Sequence, residues 1–306
     1  MRAVASHYQN TLALHAAVLF FGMAGLLGKA VSVSPMVVVF ARAAIAALAL
    51  AVWLLARKSF AAPATRSEPG TTDHSERRFL NARTMAGLAA SGILLGIHWT
   101  VFFQSIQVSS VAVGLLSFAT FPVFMALMEP LFRAGHFRAV DLARAGLVGV
   151  GLAIVVPEYD LRARVTQGAA WGVCSALTFA VLAFFNRRFS QRISPPLIAA
   201  GQNAVAAAVL APVILLCPPT VTEQDVARLV VLGVVCTALA HALYVQGLRS
   251  VRLSTAGVIT ALEPVYGMAL AAAFLGERLQ ARSVMGGAII VGVVMWAAAT
   301  HRADPP

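Results

Sequence analysis

Apolar runs of about twenty residues recur along the whole chain, each bounded by a short stretch carrying Arg, Lys, Pro or Ser. At 1.5 Å of rise per residue, runs of that length match a hydrocarbon core of roughly 30 Å. The period-two alternation of a membrane barrel is absent, and lipid offers no hydrogen-bond partner to an open backbone. The runs are therefore predicted to be helices. They fall at 12–29, 36–56, 84–106, 110–132 and 139–157, then at 166–186, 196–216, 229–248, 253–275 and 283–300. The first run lacks a small-residue cleavage site and is expected to be a retained helix.

Composition agrees with this pattern: of 306 residues 59% are hydrophobic and 11% charged, against roughly 25% charged in a soluble domain. The net charge of +11 raises the question of nucleic acid, but such binders gather Lys and Arg on one soluble face. Here the basic residues punctuate apolar runs, so the expected partner is the lipid bilayer and no nucleic acid. Basic residues concentrate in short cytoplasmic loops. With the N-terminus cytoplasmic, 16 of the 23 Lys and Arg fall inside, 6 outside, and Arg42 lies within the second span. Both termini are thus predicted to be cytoplasmic, in a multi-pass protein of a bacterial-type inner membrane. The long loop 57–83, rich in Pro, Ser, Thr and charge, is expected to be mobile. Cys174, Cys217 and Cys236 are an odd number in or beside apolar runs and read as small core residues.

The chain repeats itself. Phe121-Pro122-Val123-Phe124 in the fourth span aligns with Glu263-Pro264-Val265-Tyr266 in the ninth, and the same offset of 142 pairs Phe102 and Gln104 with Tyr244 and Gln246. Ser34-Pro35 followed by Arg42 matches Pro195-Pro196 followed by Gln202. Because five spans is an odd number, the second half enters from the opposite side, which is the inverted-repeat plan of many secondary transporters. The predicted fold is all-α integral membrane, ten transmembrane helices as two inverted five-helix repeats, 1–157 and 158–306.

Ala261-Leu262-Glu263-Pro264-Val265-Tyr266, followed by Leu275-Gly276-Glu277-Arg278-Leu279 and a last span carrying Gly286, Gly287 and Gly292, resembles the EamA domain of the drug/metabolite transporter superfamily. Arg42 also sits where that family often has an arginine. The resemblance covers nearly the whole chain as two EamA-like repeats. The first repeat departs from it: Thr120-Phe121-Pro122 stands for Leu-Glu-Pro, and Ala134-Gly135-His136 for Gly-Glu-Arg. The resemblance implies a ten-helix exporter or exchanger of small metabolites with a central cavity between the halves, and an asymmetric site.

Candidate site residues follow from polar groups deep in the spans. Glu263 lies ten residues from one end of its span and twelve from the other, about 15 Å from either surface. A carboxylate there is costly unless paired, protonated or facing water, so it is a functional candidate; alternatively it bonds the backbone freed by Pro264. Tyr266 shares its face at i+3, as an aromatic wall or as packing. His98 and Phe102 share a face with Trp99 beside them, and His241 shares one with Tyr244; both histidines are candidates for the site or satisfied core residues. Phe118 joins the aromatic candidates. Arg42 either snorkels to the outer interface or binds an anion in the cavity, with Gln202 as its neutral counterpart. Glu129 and Arg133 read as a surface ion pair. Gly22, Gly25, Gly28, Gly92 and Gly96 permit close helix approach. Pro122 and Pro264 are expected to kink their helices and to act as hinges.

The chemistry expected is therefore secondary transport by alternating access of a small-molecule substrate such as an amino acid, driven by its own gradient or by protons, in a monomer or homodimer. No Walker motif is present to bind ATP, and neither catalytic residues, a metal nor a cofactor is expected. An intramembrane enzyme using His98, His241 and Glu263, a lipid translocator and a non-transporting subunit are the competing readings.

Overall fold

The computed structural model describes residues 2–60, 81–132, 139–156, 160, 162–251 and 253–301, all helices and turns with no strand among them. The predicted loop 57–83 is shorter than expected, since 57–60 and 82–83 belong to helices; its remainder 61–80, the Glu129–Arg133 pair and Ala134-Gly135-His136 lie outside these residues or their described side chains. The helices are α1 (Arg2–Ala30), α2 (Pro35–Phe60), α3 (Ala82–Val108), α4 (Val111–Phe118), α5 (Phe121–Phe132) and α6 (Ala139–Val155). They continue with α7 (Arg164–Ser190), α8 (Pro195–Leu216), α9 (Glu223–Gly233), α10 (Ala240–Gly247), α11 (Leu253–Thr260), α12 (Glu263–Leu275) and α13 (Ala281–His301).

Among the described residues eight helical columns are long and apolar enough to cross a membrane, and Ala143–Val155 and Ala281–Trp296 are shorter apolar helices. Large apolar side chains such as Leu48, Leu215 and Phe274 stand exposed on the outside of the bundle, a surface suited to lipid and not to water. The chain is an all-α, multi-pass membrane protein.

Four predicted spans differ in detail, the first because its helix already begins at Arg2 instead of 12. The fourth and ninth are each broken, α4 from α5 and α11 from α12. In both, proline is the second residue of the new segment, where the N–H it lacks would have no intrahelical partner anyway. The preceding turns tighten to three-residue bonds, Thr120 N–H to Ser117 O and Leu262 N–H to Ile259 O. The eighth span starts at Glu223 instead of 229, because Thr222 and Asp225 form a reciprocal capping box. It also contains a π-helical turn, Val234–Leu239, joining α9 to α10.

In the packed bundle α3 lies against α7 and α8, α2 against α8, α1 against α10 and α12, and α6 against α13. The α1–α12 crossing is close because both sides are glycine: a Cβ on Gly22 would stand 2.9 Å from Gly267 N. Gly276 ends α12 with φ of 63°, a left-handed cap that glycine adopts without a Cβ clash. Its neighbour Glu277 then turns back to accept the Val111 N–H at the start of α4, at 3.0 Å. The cysteine reading needs correction: Cys236 is buried, but Cys174 and Cys217 are exposed on the bundle surface.

Candidate functional site

A small cavity sits where α1, α2, α3, α4, α7 and the first residue of α12 converge, lined by Phe21, Ala24, Arg42, His98, Trp99, Phe102, Phe118, Phe179 and Glu263. Its volume is about 30 Å³, room for about two waters and far below the roughly 300–1,000 Å³ of an open ligand pocket.

Arg42 is fully enclosed, with 2% of its surface exposed, so the snorkelling alternative does not hold. Its guanidinium lies over the Trp99 ring at 4.0 Å and beside Phe103 at 5.1 Å, where the aromatic faces attract the cation. Nε donates to Thr237 Oγ1 at 2.8 Å and Nη2 to the Cys236 carbonyl at 3.2 Å. A charge held this way is costly to bury unless its remaining donors meet water or a ligand.

Glu263 is also buried, 3% exposed, and the N-cap before it, Leu262, has no side chain able to cap α12. Placed in the first turn of α12, Glu263 faces the cavity at the helix end where the dipole favours negative charge. Arg42 and Glu263, one from each half of the chain, line the same small space. They form no direct ion pair among the described residues.

His98 lies within 3.0 Å of both the carbonyl and the hydroxyl of Ser175 through Nδ1. A carbonyl can only accept, so Nδ1 carries the proton in the neutral ring and Nε2 is left as an acceptor. The ring is wedged between Phe179 at 5.2 Å and Phe118 at 5.7 Å. Phe118 in turn stacks on Phe121 at 5.3 Å, and Phe102 meets Phe118 edge-on at 5.5 Å. These spacings are those of favourable aromatic pairs and make a stiff wall on one side of the two charges.

The other candidates lie around this core without lining it. Tyr244 packs on Phe21 and Phe179 at 5.7 and 5.5 Å. His241 touches the edge of Trp99 at 6.0 Å and its Nδ1 takes a bond from Asn203 Nδ2 at 3.1 Å. Tyr266 is half-buried and packs against the core. Gln202 bonds Ser91 and Asn186, both at 2.8 Å, in a separate buried polar cluster. Pro122 and Pro264 stand at the two helix breaks. Sequence reasoning missed Phe21, Ala24 and Phe179 in the lining, and Thr237 and Ser175 behind it. The 142-residue offset pointed to Tyr244 through Phe102, but nothing pointed to the α1 residues.

Hydrogen bonds between the halves close the bundle at both ends of the cavity. At one end Asp225 accepts from Ser32 N–H at 3.1 Å and Ser32 Oγ–H at 2.5 Å, while Arg228 reaches Ala30 O at 3.0 Å. At the other end Asn10 donates to Ser250 Oγ at 2.6 Å and accepts from Gln246 at 2.8 Å, and Arg187 holds the carbonyls of Leu248 and Val251.

A many-helix membrane bundle with charges and aromatic rings around a small central cavity is the architecture of a membrane transporter, and comparison with known proteins points to that class. Residues 166–298 match the model of the EamA-like transporter family. An uncharacterized transporter of Archaeoglobus fulgidus is 26% identical over 213 residues, 70% of this chain and 75% of that protein. A second uncharacterized transporter, from Haemophilus influenzae, is 38% identical over 60 residues, 20% of this chain and 35% of that protein. A solved crystal structure shares the fold with a TM-score of 0.66 at 18% identity, covering 97% of this chain and 99% of that one.

Proposed function

We propose that the chain is a secondary transporter of ten spans, two inverted five-helix halves at 1–157 and 158–306, that exports small zwitterionic metabolites such as amino acids from the cytoplasm. The observation that carries this reading is that Arg42 and Glu263 line one small cavity from opposite halves. A ligand bearing a carboxylate and an ammonium would satisfy both charges at once, with its apolar part against Phe102, Phe118 and Phe179. The cavity is too small for such a ligand as it stands, which fits an occluded conformation that must open to load.

Alternating access follows from the two closed ends. The halves rock about the breaks before Pro122 and Pro264, releasing the Asn10 contacts to open inward and the Ser32–Asp225 contacts to open outward. Glu263 takes up a proton as the substrate leaves, so that the empty site does not hold a bare carboxylate in the bilayer. Positive-inside placement of Arg supports cytoplasmic termini in a bacterial-type inner membrane, with no catalytic step.

The test is flux through purified protein in liposomes loaded with a mixture of the proteinogenic amino acids. Saturable exchange of one or more of them, abolished in Glu263→Gln, is the expected result. Movement of fluorescent lipid without solute flux would replace this reading with lipid translocation.

A further inference from the structure

The π-helical turn Val234–Leu239 is built against Arg42. In an α-helix the Ala240 N–H would bond the Cys236 carbonyl, four residues back. Here it bonds Val235 O and Thr237 O instead, and the Cys236 carbonyl, freed of that partner, receives Arg42 Nη2. The next residue, Thr237, donates its hydroxyl proton to Leu232 O at 2.6 Å. That bond fixes the Oγ1 lone pairs, one of which accepts Arg42 Nε–H. Isolated π-turns cost helix regularity and collect at functional sites; this one supplies two acceptors at the spacing of one edge of a guanidinium.

The edge so occupied is the Nε/Nη2 side of the planar fork. What is left is the end-on edge, one N–H on Nη1 parallel to the second on Nη2, with no partner among the described residues. The Trp99 and Phe103 rings lie 4.0 and 5.1 Å from the guanidinium carbon and, with the two hydrogen bonds, leave the head group little freedom to turn another edge to the cavity. Two parallel N–H donors match a carboxylate in bidentate geometry.

We propose that the π-turn is an orienting clamp for Arg42, with Thr237 as a positioning residue, and that the exposed end-on edge is a bidentate receptor for a ligand carboxylate. This rests on the reading of the cavity as the substrate site and adds which atoms take which part of the ligand. Thr237 touches no substrate; it acts through Arg42. Ammonium groups are excluded from this edge and left to Glu263.

Trp99 makes the clamp observable without a transport assay, because the other tryptophans, Trp53, Trp171 and Trp296, are exposed on the bundle surface and can be replaced by Phe. In that single-tryptophan protein the emission of Trp99 is compared among the parent, Arg42→Gln, Thr237→Val and Thr237→Ser, each shown to be monodisperse by gel filtration. Removing the cation from the ring face shifts Trp99 emission in Arg42→Gln. Thr237→Val is expected to shift it in the same direction, and Thr237→Ser, which keeps the hydroxyl, to stay with the parent. Sodium acetate, titrated against methylammonium chloride at matched ionic strength, then reads the edge. Acetate should change the emission of the parent and the serine variant, weaken roughly tenfold in Thr237→Val, and have no effect in Arg42→Gln.

Parent-like emission in Thr237→Val beside a clear shift in Arg42→Gln overturns the clamp, as does an Arg42→Gln protein with unshifted emission. A response to methylammonium in place of acetate, or to neither, overturns the carboxylate receptor. These readings use no transported substrate, so failed flux in liposomes would count against the proposed function and leave the clamp to be decided by Trp99.

Discussion

Ser32→Ala removes one bond from the closure at the Ser32–Asp225 end, the end proposed to open outward, and nothing else. Ser32 Oγ–H donates to Asp225 Oδ2 at 2.5 Å, a charge-assisted bond, while the Ser32 N–H bond to Oδ1 and the capping box of Thr222 with Asp225 survive the substitution. A bond of this kind contributes about 1.5–3 kcal/mol, which corresponds to roughly a tenfold to hundredfold rise in the population open at that end. The lower figure is expected, since water solvates the parted groups when the end opens. The assay places one thiol in the cavity, Ala24→Cys in a background of Cys174→Ser, Cys217→Ser and Cys236→Ala, and measures its labelling by a membrane-impermeant maleimide from outside the cell. Ser32→Ala should speed labelling about tenfold and leave labelling in inverted vesicles unchanged or slower. Equal outside rates with and without the Ser32 hydroxyl would refute the idea that this bond holds the end shut.

The opposite end answers to Asn10→Ala, which loses two neutral bonds, to Ser250 and from Gln246. At about 0.5–1.5 kcal/mol each, this should raise labelling of the same thiol several-fold in inverted vesicles; no change there would remove Asn10 from the closure. Replacing Pro122 and Pro264 together by alanine restores backbone donors at both breaks and should slow the turnover of substrate while sparing its binding. Transport rates equal to the parent's would end the hinge assignment. Gly22→Ala drives a methyl to 2.9 Å from Gly267 N, an overpacked backbone contact that should lower stability by about 1–3 kcal/mol. Thermal unfolding in detergent checks this, and an unchanged midpoint would show that α1 and α12 can part without cost.

How far the sequence carried the fold depended on the kind of signal. Runs such as 36–56 and 196–216 announced spans by length alone, and α2 and α8 follow them closely. Pro122 and Pro264 marked the two helix breaks because a missing N–H must fall at a segment start. The start of α9 was misplaced because Glu223, Asp225 and Arg228 looked like loop charge, although Thr222-x-x-Asp225 was already a capping pattern. The π-turn left no trace: Val-Val-Cys-Thr-Ala-Leu contains no breaker, and the partner of its freed groups, Arg42, lies across the bundle. The site was legible in its two charges and in His98, Trp99, Phe102 and Phe118. Their convergence was not, because helices apolar on most of their circumference carry little information about which face turns inward. Phe21 and Phe179 were indistinguishable from other core phenylalanines for the same reason. Gln202 was brought in by its spacing from a proline, and its amide instead ties α3, α7 and α8 together.

Transport as proposed depends on the cavity shared by Arg42 and Glu263. Its most direct test is untargeted metabolite profiling of the medium from cells overproducing the parent protein, compared with cells producing Arg42→Gln and Glu263→Gln at equal membrane abundance. At least one zwitterionic solute is expected to accumulate outside with the parent and with neither variant. Equal accumulation with all three proteins, or none with the parent, would contradict transport through that cavity.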